Sequence, residues 1–392
     1  MNDAYIYEVL RTPRGLGRHD GALHSVKPVS LVTGLMRELQ QHHQLDTALI
    51  DDVLLGCMTP VGDQGANLAR IAVLAAGWDG KAAGMQLNRF GASGLEAVNL
   101  AAHKVRSGWQ DLILAGGVES MSRVPAGKDG GAWSLDPATR LHTGYVPPVT
   151  SADLVATLEG HHREQLDAWA LRSQHLAAAA QEAARLHCLV AVRDQNGVLI
   201  LATDQGPRPT SREALASQTP LADTLFDPVA LRRHPQLPRI AHPHTAGNTA
   251  RPADGAALAL VGSKAAGARL GVEPRARILA GAVIGGEPAA AARRALKIAG
   301  LSVNEIDLFE VNECHAVVVL RFLREMGIHA DKVNVNGGAI AYGDPLGAGG
   351  CMLLGTLLDE LELRRARRGL VAVSAGAGAG AGMGLASVIE RL

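Results

Sequence analysis

Apolar and polar residues alternate at the start of the chain, from Met1 to Val9, with the period of a strand. Farther along, Ser93 and Glu96 have the spacing of a capping box. The apolar residues that follow recur at helical intervals, at Leu95, Val98, Ala101, Ala102 and Val105. This pattern predicts a helix that begins near residue 93. Residues 112–117 then predict a short buried strand that ends in glycines.

A similar arrangement returns near the C-terminus. A glycine-rich bend over 336–350 leads into a helix with apolar residues at Leu353, Leu354, Leu357 and Leu361, and a β-branched strand follows at 371–374. Two similar α/β halves indicate a duplication, and we expect them to span residues 1–265 and 266–392. Between about 121 and 245 the composition shifts to Pro, His, Arg and Gln around a helical segment, Arg163 to Arg185, so the first half carries a looser insertion.

Composition narrows the possible partners. With 392 residues and 47% hydrophobic content the chain can bury large cores. A formal net charge of zero and a pI near 7.3 give no electrostatic signature of nucleic acid or anionic membrane binding. No apolar run reaches the ~20 residues that span a bilayer, and the N-terminus lacks a basic region before an apolar run. We expect a cytoplasmic protein without nucleic-acid or membrane partners.

The four cysteines, Cys57, Cys188, Cys314 and Cys351, are too few and too scattered for a disulfide framework, and no pair has metal-ligand spacing. We therefore expect no metal site. The bend over residues 88–91 is more informative, because the amide groups of the following helix are aimed at residue 91. A cysteine there would gain most, since the helix dipole stabilises a thiolate and lowers its pKa. The residue at this position is Gly91, which has nothing to ionise.

Seven short motifs follow one another along the chain: Val9–Gly15, Asp51–Gly56, Asn88–Glu96, Ala115–Ser122, Thr245–Asn248 with Asp254–Ala257, Glu310–Glu313 and Asn334–Ala341. In residue content and order they resemble the thiolase family of acyl-CoA acyltransferases. The resemblance implies an α/β fold of two similar stacked halves in five layers (αβαβα), with helices between and outside two mixed sheets. It also implies that residues 121–245 form a loop domain that covers the pocket and holds CoA.

The resemblance locates the catalytic positions and shows that their residues have changed. Gly91 holds the position of the acyl-accepting cysteine, and Asp344, in Gly-Asp-Pro, holds that of the activating histidine. The second cysteine is replaced by Ser374 or by Gly378, depending on the end of the last glycine-rich segment from which one counts. Asn312, which holds a catalytic water in the family, is retained.

Positions that face CoA in thiolases have changed as well. His315 replaces an aromatic residue that lies against the pantetheine arm, Ala250 and Arg251 replace a Ser-Gly pair, and Val149 replaces a glycine of the loop domain. These changes remove contacts, add bulk and charge to the tunnel, and predict weak CoA binding. Because the scaffold motifs are nearly intact, the pattern favours a changed function over decay.

Each replacement also has a structural interpretation. Asp344 before Pro345 has the pattern of a helix N-cap. His315 could be a buried histidine, Arg251 a solvated cation, Cys314 core filler and Ser374 a small residue that fits. The terminal Gly-Ala run could be close-packed turn backbone or supply N–H groups to an oxyanion hole.

Three functional hypotheses follow. In the first, the protein binds an acyl thioester such as an acyl-CoA, or a β-ketoacyl compound, needs no further cofactor, and catalyses C–C bond chemistry or proton transfer without an acyl-cysteine. Asp344 and His315 would be its acid/base pair, with Asn312 and backbone amides holding the enolate. In the second, it is a catalytically silent subunit of a thiolase-like partner. In the third, Gly91 is an engineered replacement of cysteine. For assembly, the resemblance and the apolar faces of the Asn88 region predict a homodimer or homotetramer.

Overall fold

The computed structural model describes residues 2–375 and 382–392 of the chain. Its strands are β1 Ala4–Arg11, β2 Gly15–Leu16, β3 Asp52–Gly56, β4 Met85–Leu87, β5 Leu112–Ser120, β6 Val192–Arg193, β7 Leu199–Leu201, β8 Ala253–Gly262, β9 Ala276–Gly285, β10 Leu308–Val311, β11 Arg368–Ala375 and β12 Met383–Arg391. Its helices are α1 Pro28–His43, α2 Leu68–Ala75, α3 Ser93–Ser107, α4 Ala132–Leu135, α5 Pro137–Thr143, α6 Pro148–Glu159, α7 Arg163–Glu182, α8 Arg212–Ala216, α9 Asp227–Arg233, α10 Lys264–Leu270, α11 Pro288–Ala299, α12 Ala316–Met326, α13 Ala339–Tyr342 and α14 Leu346–Arg364. Short 3₁₀ turns lie at Thr47–Leu49, Gly62–Gln64, Thr224–Phe226, Val303–Glu305 and Ala330–Lys332.

The two halves repeat one strand pattern. In the first half β3 runs parallel to β5, and β8 pairs antiparallel with β5. In the second half β10 runs parallel to β11, and β12 pairs antiparallel with β11. In each half a long helix, α3 or α14, leads into the second strand of the parallel pair. The duplication expected from the sequence is therefore present in the fold.

One strand joins the sheets of the two halves. Along one edge β1 pairs with β8, and at its start, Ala4–Ile6, it also pairs with β9. The strand order is consequently continuous, β4-β3-β5-β8-β1-β9-β12-β11-β10, where two separate sheets were expected. The link lies at Tyr5 and Ile6, which pair with both β8 and β9, and the register with β8 shifts just after them, between Ile6 and Glu8.

The helices and the two ends of the sheet are stacked in five layers. In the middle, α3 and α14 pack between its two ends and share one core with inward residues of β5, β8, β11 and β12. On one outer face α1 and α2 cover β3, β5 and β8, and on the other α11 and α12 cover β10, β11 and β12. This confirms the predicted five-layer α/β fold. Within residues 121–245, α6 and α7 of the loop domain pack against the core around α12.

Close contact between the two central helices brings their N-terminal ends together. An added Cβ at Gly94 would lie 2.5 Å from the carbonyl oxygen of Gly347, and one at Gly350 would lie 2.7 Å from Leu95 Cβ. Only glycine fits at such a distance. Both helices therefore begin at the same edge of the molecule.

Two details of the helix starts differ from the sequence predictions. Helix α3 begins at Ser93, but its N-cap is Ala92, and Ser93 bonds to the backbone of the preceding bend while Glu96 forms an ion pair with Arg89 at 3.2 Å. The predicted capping box is therefore absent. Helix α14 begins at Leu346 without a side-chain cap, so Asp344 is not an N-cap and its carboxylate is available for other contacts.

Candidate active site

A cavity of about 240 Å³ opens between the N-terminal ends of α3 and α14 on one side and helices α6 and α12 on the other. Five predicted catalytic positions line it: Gly91, Asn312, His315, Asp344 and Ser374. Much of the remaining wall is apolar and comes from the loop domain and from α12. The fold thus brings together residues that are separated by more than two hundred positions in the sequence.

Gly91 lies at the end of a tight bend that points the N-terminus of α3 into the cavity. The Asn88 side chain accepts a hydrogen bond from the Phe90 amide at 2.8 Å, and the Ser93 hydroxyl donates to the Phe90 carbonyl at 2.6 Å. An added Cβ at Gly91 would meet only Leu346 Cδ2 at 3.6 Å and the Ser374 carbonyl oxygen at 3.7 Å, which are ordinary contacts. A side chain therefore fits at this position. Packing does not require glycine here, and the absence of a side chain changes the chemistry of the site.

Asp344 and Asn312 form a hydrogen-bonded pair in the cavity wall. The Asn312 amide donates to Asp344 Oδ2 at 3.0 Å, and both side chains are buried. Burial raises the pKa of Asp344, although the bond from Asn312 and the charge of Arg14 act in the opposite direction. A carboxyl group held in this way can keep its proton to a higher pH than usual, which suits a general acid or base.

His315 lies immediately before α12 and is also buried. Burial, together with the neighbouring His244, lowers the pKa of His315 to about 3. Its ring meets that of His244 edge to face, with the centroids 5.4 Å apart. At neutral pH the imidazole is therefore uncharged and can donate one hydrogen bond and accept another.

Behind His315 lies a buried chain of carboxylates and imidazoles. Asp153 on α6 accepts hydrogen bonds from His244 Nδ1 at 2.6 Å and from His242 Nδ1 at 2.8 Å. His242 in turn contacts Asp227 at 3.1 Å. No local pattern in the sequence predicts this network, because Asp153 and His244 are 91 residues apart.

The other nucleophile candidates are weak. Cys314 lines the cavity, but burial, with a smaller contribution from the charge of Asp344, raises the pKa of its thiol to about 12. A thiolate is therefore scarce at neutral pH. Ser374 lies in β11 opposite Gly384 and presents its carbonyl toward residue 91. Gly378, the other candidate for the second-cysteine position, lies outside the described residues.

Three of the four residues predicted to contact CoA lie outside the cavity wall: Val149, Ala250 and Arg251. The guanidinium of Arg251 donates instead to the Gly206 carbonyl at 2.5 Å. Burial and the nearby cations Arg208 and Arg18 lower its pKa to about 10. The backbone of Ala250 and Arg251 supports the site, since Ala250 N–H donates to Cys314 and the Arg251 carbonyl accepts from Asp344 N–H. Arg251 therefore adds no cation to the wall of this cavity, and the contacts of Val149, Ala250 and Arg251 with CoA stay predictions. His315 is the one of the four residues that lines the cavity.

Comparison with known proteins decides the family. The model of the thiolase N-terminal domain matches residues 4–225, and the model of the thiolase C-terminal domain matches residues 275–391. The chain is a member of the thiolase family. This thiolase is 37% identical to the 3-oxoadipyl-CoA/3-oxo-5,6-dehydrosuberyl-CoA thiolase of Escherichia coli (strain K12), over 94% of the chain and 96% of the relative.

Two further relatives span the same length. The beta-ketoadipyl-CoA thiolase of Pseudomonas aeruginosa is 36% identical, over 95% of this chain and 96% of its own. The acetyl-CoA acetyltransferase of Syntrophomonas wolfei is 33% identical, over 93% of each chain. By family the protein therefore falls in the acyl-CoA acyltransferase class. Among the described residues of this thiolase, no helix is long and apolar enough to cross a bilayer, and no group of three or more His, Cys, Asp and Glu is arranged to hold a metal ion.

Proposed function

We propose that this thiolase binds an acyl-CoA or related β-keto thioester and catalyses C–C bond chemistry or α-proton transfer without an acyl-cysteine. One observation carries the proposal. The cavity keeps the helix N-terminus, the Asn312 amide and a buried carboxyl group, while position 91 has space for a side chain and none is present. A thiolase site without a nucleophile can still stabilise an enolate, which needs only hydrogen-bond donors and a base.

Asp344 is the residue suited to move the α-proton. Its carboxylate would take a proton from the α-carbon of the bound thioester, leaving an enolate, and would return that proton to the carbon or to an alkoxide formed by attack on a second carbonyl. Burial raises the pKa of Asp344, which brings the acid and base forms closer to balance at neutral pH. Neutral His315 would donate one hydrogen bond to a substrate oxygen without adding a charge.

The enolate oxygen needs donors in a fixed position. We expect the Gly91 N–H to supply one such donor beside the partial positive charge of the α3 terminus, because Gly91 lines the cavity. Asn312 contributes by holding Asp344, because its amide is bonded to the carboxylate at 3.0 Å. These groups are fixed before the substrate enters, as electrostatic stabilisation of a transition state requires.

Exchange of α-protons tests the proposal directly. Acetyl-CoA and butyryl-CoA in D₂O should gain deuterium faster with the protein than in buffer, as followed by mass spectrometry. Asp344→Asn should slow the exchange by about 10²–10⁴-fold, the usual loss for a general base. Asp331→Asn is the matched control, because the Asp331 side chain is 83% exposed and far from any cavity contact described above. Exchange no faster than in buffer, or equal in wild type and Asp344→Asn, contradicts the proposal.

The alternative, a catalytically silent subunit, needs a surface that binds a second chain. Helix α3 is largely buried in the chain's own core, so it leaves no large apolar patch of the kind expected from the sequence. The strand at the sheet edge, β4, lies beside exposed apolar residues, with Leu74 58%, Ile71 39% and Met85 37% exposed. An unpaired edge strand with apolar neighbours favours pairing with a second chain.

Sedimentation velocity tests this assembly. We expect a homodimer, or a dimer of dimers, at micromolar concentration, and a shift toward monomer when Leu74→Glu and Met85→Glu are combined. A monomeric wild type would remove the proposed assembly and most of the support for a partner subunit.

A further inference from the structure

Three nearly parallel aromatic rings form one wall of the cavity. Phe90 and Trp133 have centroids 5.7 Å apart with 14° between their planes, and Trp133 and Tyr145 have centroids 4.9 Å apart with 20° between theirs. All three residues line the cavity. Phe, Tyr and Trp together make up only 3% of the chain, so this aromatic wall is a local concentration of a rare residue class.

The aromatic wall begins beside the reacting centre. Phe90 precedes Gly91 directly and has a φ of 50°, in the left-handed region that a bulky side chain rarely adopts. Phe90 is held in this conformation by its amide, which donates to the Asn88 side chain, and by its carbonyl, which accepts from the Ser93 hydroxyl. Backbone strain of this kind persists where the surroundings fix it, and here it fixes the position of the ring that precedes residue 91.

The opposite wall offers no free charge to an anionic group. Arg321 is the cavity's guanidinium, and it is bound by Glu325 at 2.7 Å and by Glu159 and Glu287 at 3.1 Å each. His315 is neutral. Among the described residues that line the cavity, no unpaired cation is left for a carboxylate at the end of an acyl chain.

We infer that the cavity selects a thioester whose acyl group carries an uncharged aromatic ring. A volume of about 240 Å³ is below the ~300–1,000 Å³ of sites that enclose drug-sized ligands, so the cavity can hold an acyl group while the rest of the thioester lies outside it. An aromatic acyl group can stack on, or lie edge-on to, the rings of the wall. This inference rests on the proposed function, because it names the acyl group on which that chemistry would act.

Calorimetric titration with a matched pair of thioesters tests the inference without turnover. Benzoyl-CoA and cyclohexanecarbonyl-CoA share one skeleton and differ in aromaticity, and we expect benzoyl-CoA to bind about 3- to 10-fold more tightly. Trp133→Leu should reduce this preference to within about 2-fold, whereas Trp133→Phe should retain most of it. Trp109→Leu is the matched control, since Trp109 is 89% exposed and does not line the cavity.

A second pair tests the absence of a free cation. Hexanoyl-CoA should bind at least about 10-fold more tightly than adipyl-CoA, whose terminal carboxylate would be desolvated without a partner. The inference is overturned if cyclohexanecarbonyl-CoA binds as tightly as benzoyl-CoA or more tightly, or if adipyl-CoA does so relative to hexanoyl-CoA. It is also overturned if the preference for benzoyl-CoA survives Trp133→Leu, or if no thioester binds. Aromatic preference in a protein that exchanges no α-protons would refute the proposed chemistry alone, and exchange without aromatic preference would refute this inference alone.

Discussion

At the scale of single residues, Gly91 lies in a site that has the geometry of a nucleophile site but lacks the nucleophile. The bend, the helix terminus and the space for a side chain are all present, and only the ionisable group is missing. The sequence predicted this position and its environment because the bend and the following helix are local features. It did not predict that the Asp344 carboxylate would bond to Asn312. That contact depends on how two distant loops pack against each other, and the N-cap pattern of Asp344 before Pro345 does not predict it.

Restoring the thiol alone should restore little. After incubation with acetyl-CoA, the intact mass of wild type should show no acetyl adduct, and Gly91→Cys should stay within about 10-fold of the background. A negative Asp344 nearby raises a thiol's pKa and supplies no activating histidine. Combining Gly91→Cys with Asp344→His should increase acetylation by at least about 100-fold over Gly91→Cys.

Gly80→Cys is the control for uncatalysed acetylation, because nothing lies within 4 Å of a Cβ added there. Equal labelling of this variant and of the double variant would show that position 91 gives a thiol no special environment. An adduct on the wild type that a single substitution removes would reveal a nucleophile elsewhere.

Asp344 should also make the protein less stable as the pH rises. Burial raises its pKa in the folded state. Below the ordinary carboxyl pKa of ~3.9 both states hold the proton and the residue has no effect. Above it the unfolded chain releases the proton more readily than the folded one, so stability is lost as pH rises toward the folded pKa. Asp344→Asn should therefore raise the melting temperature near pH 7 by about 1–3 °C and have little effect near pH 3.5. A destabilised Asn variant at pH 7 would contradict this.

At the scale of elements, the sequence predicted β1, α3, β5, α7, α14 and β11, because the signal for each lies within its own residues. It could not predict what the loop domain places behind His315. His242 and His244 belong to an irregular segment, and their partner Asp153 lies on a helix some 90 residues earlier. Such contacts arise from packing of α6 against that segment, which leaves no periodic signal.

Asp153 should be critical for the loop domain. Asp153→Asn would replace a carboxylate that accepts bonds from two imidazoles with a group that can accept at one oxygen only. We expect urea unfolding to show a loss of about 2–4 kcal/mol, because a buried imidazole is left without its partner. Asp227→Asn, at the partly exposed end of the same chain, should cost less than about 1 kcal/mol. Equal losses for both variants would mean that burial of the network does not determine its contribution.

The contact between α3 and α14 gives a second prediction at this scale. Gly94→Ala should destabilise the protein by about 2–4 kcal/mol, because the new methyl group on α3 would lie 2.5 Å from the Gly347 carbonyl oxygen of α14. Gly34→Ala is the matched control in helix α1, where nothing lies within 4 Å of an added Cβ, and it should be neutral or stabilising by up to about 1 kcal/mol. Chemical denaturation of the two variants measures the difference, and similar effects would argue against close helix contact.

At the scale of the whole molecule, the duplicated architecture could be expected from the sequence, whereas the connection between its halves could not. The spacing of apolar residues in each half predicts that half's own strands and helices, so both halves can be recognised from the sequence. The pairing of β1 with both β8 and β9 depends on strands that lie more than 240 residues later. Nothing in the first ten residues distinguishes a strand at the edge of a sheet from one that links two sheets.

The position of β1 also has a consequence for biosynthesis. This strand is translated well before its partners β8 and β9, which end at Gly262 and Gly285, so it must wait unpaired while the residues between them are made. Domains generally fold as units when they emerge, and long-range strand pairing is slow. β1 therefore cannot be paired along both edges until the chain has been made as far as Gly285. Nascent chains that stall before β8 would carry an exposed apolar strand, and they are the form of this protein most in need of a chaperone.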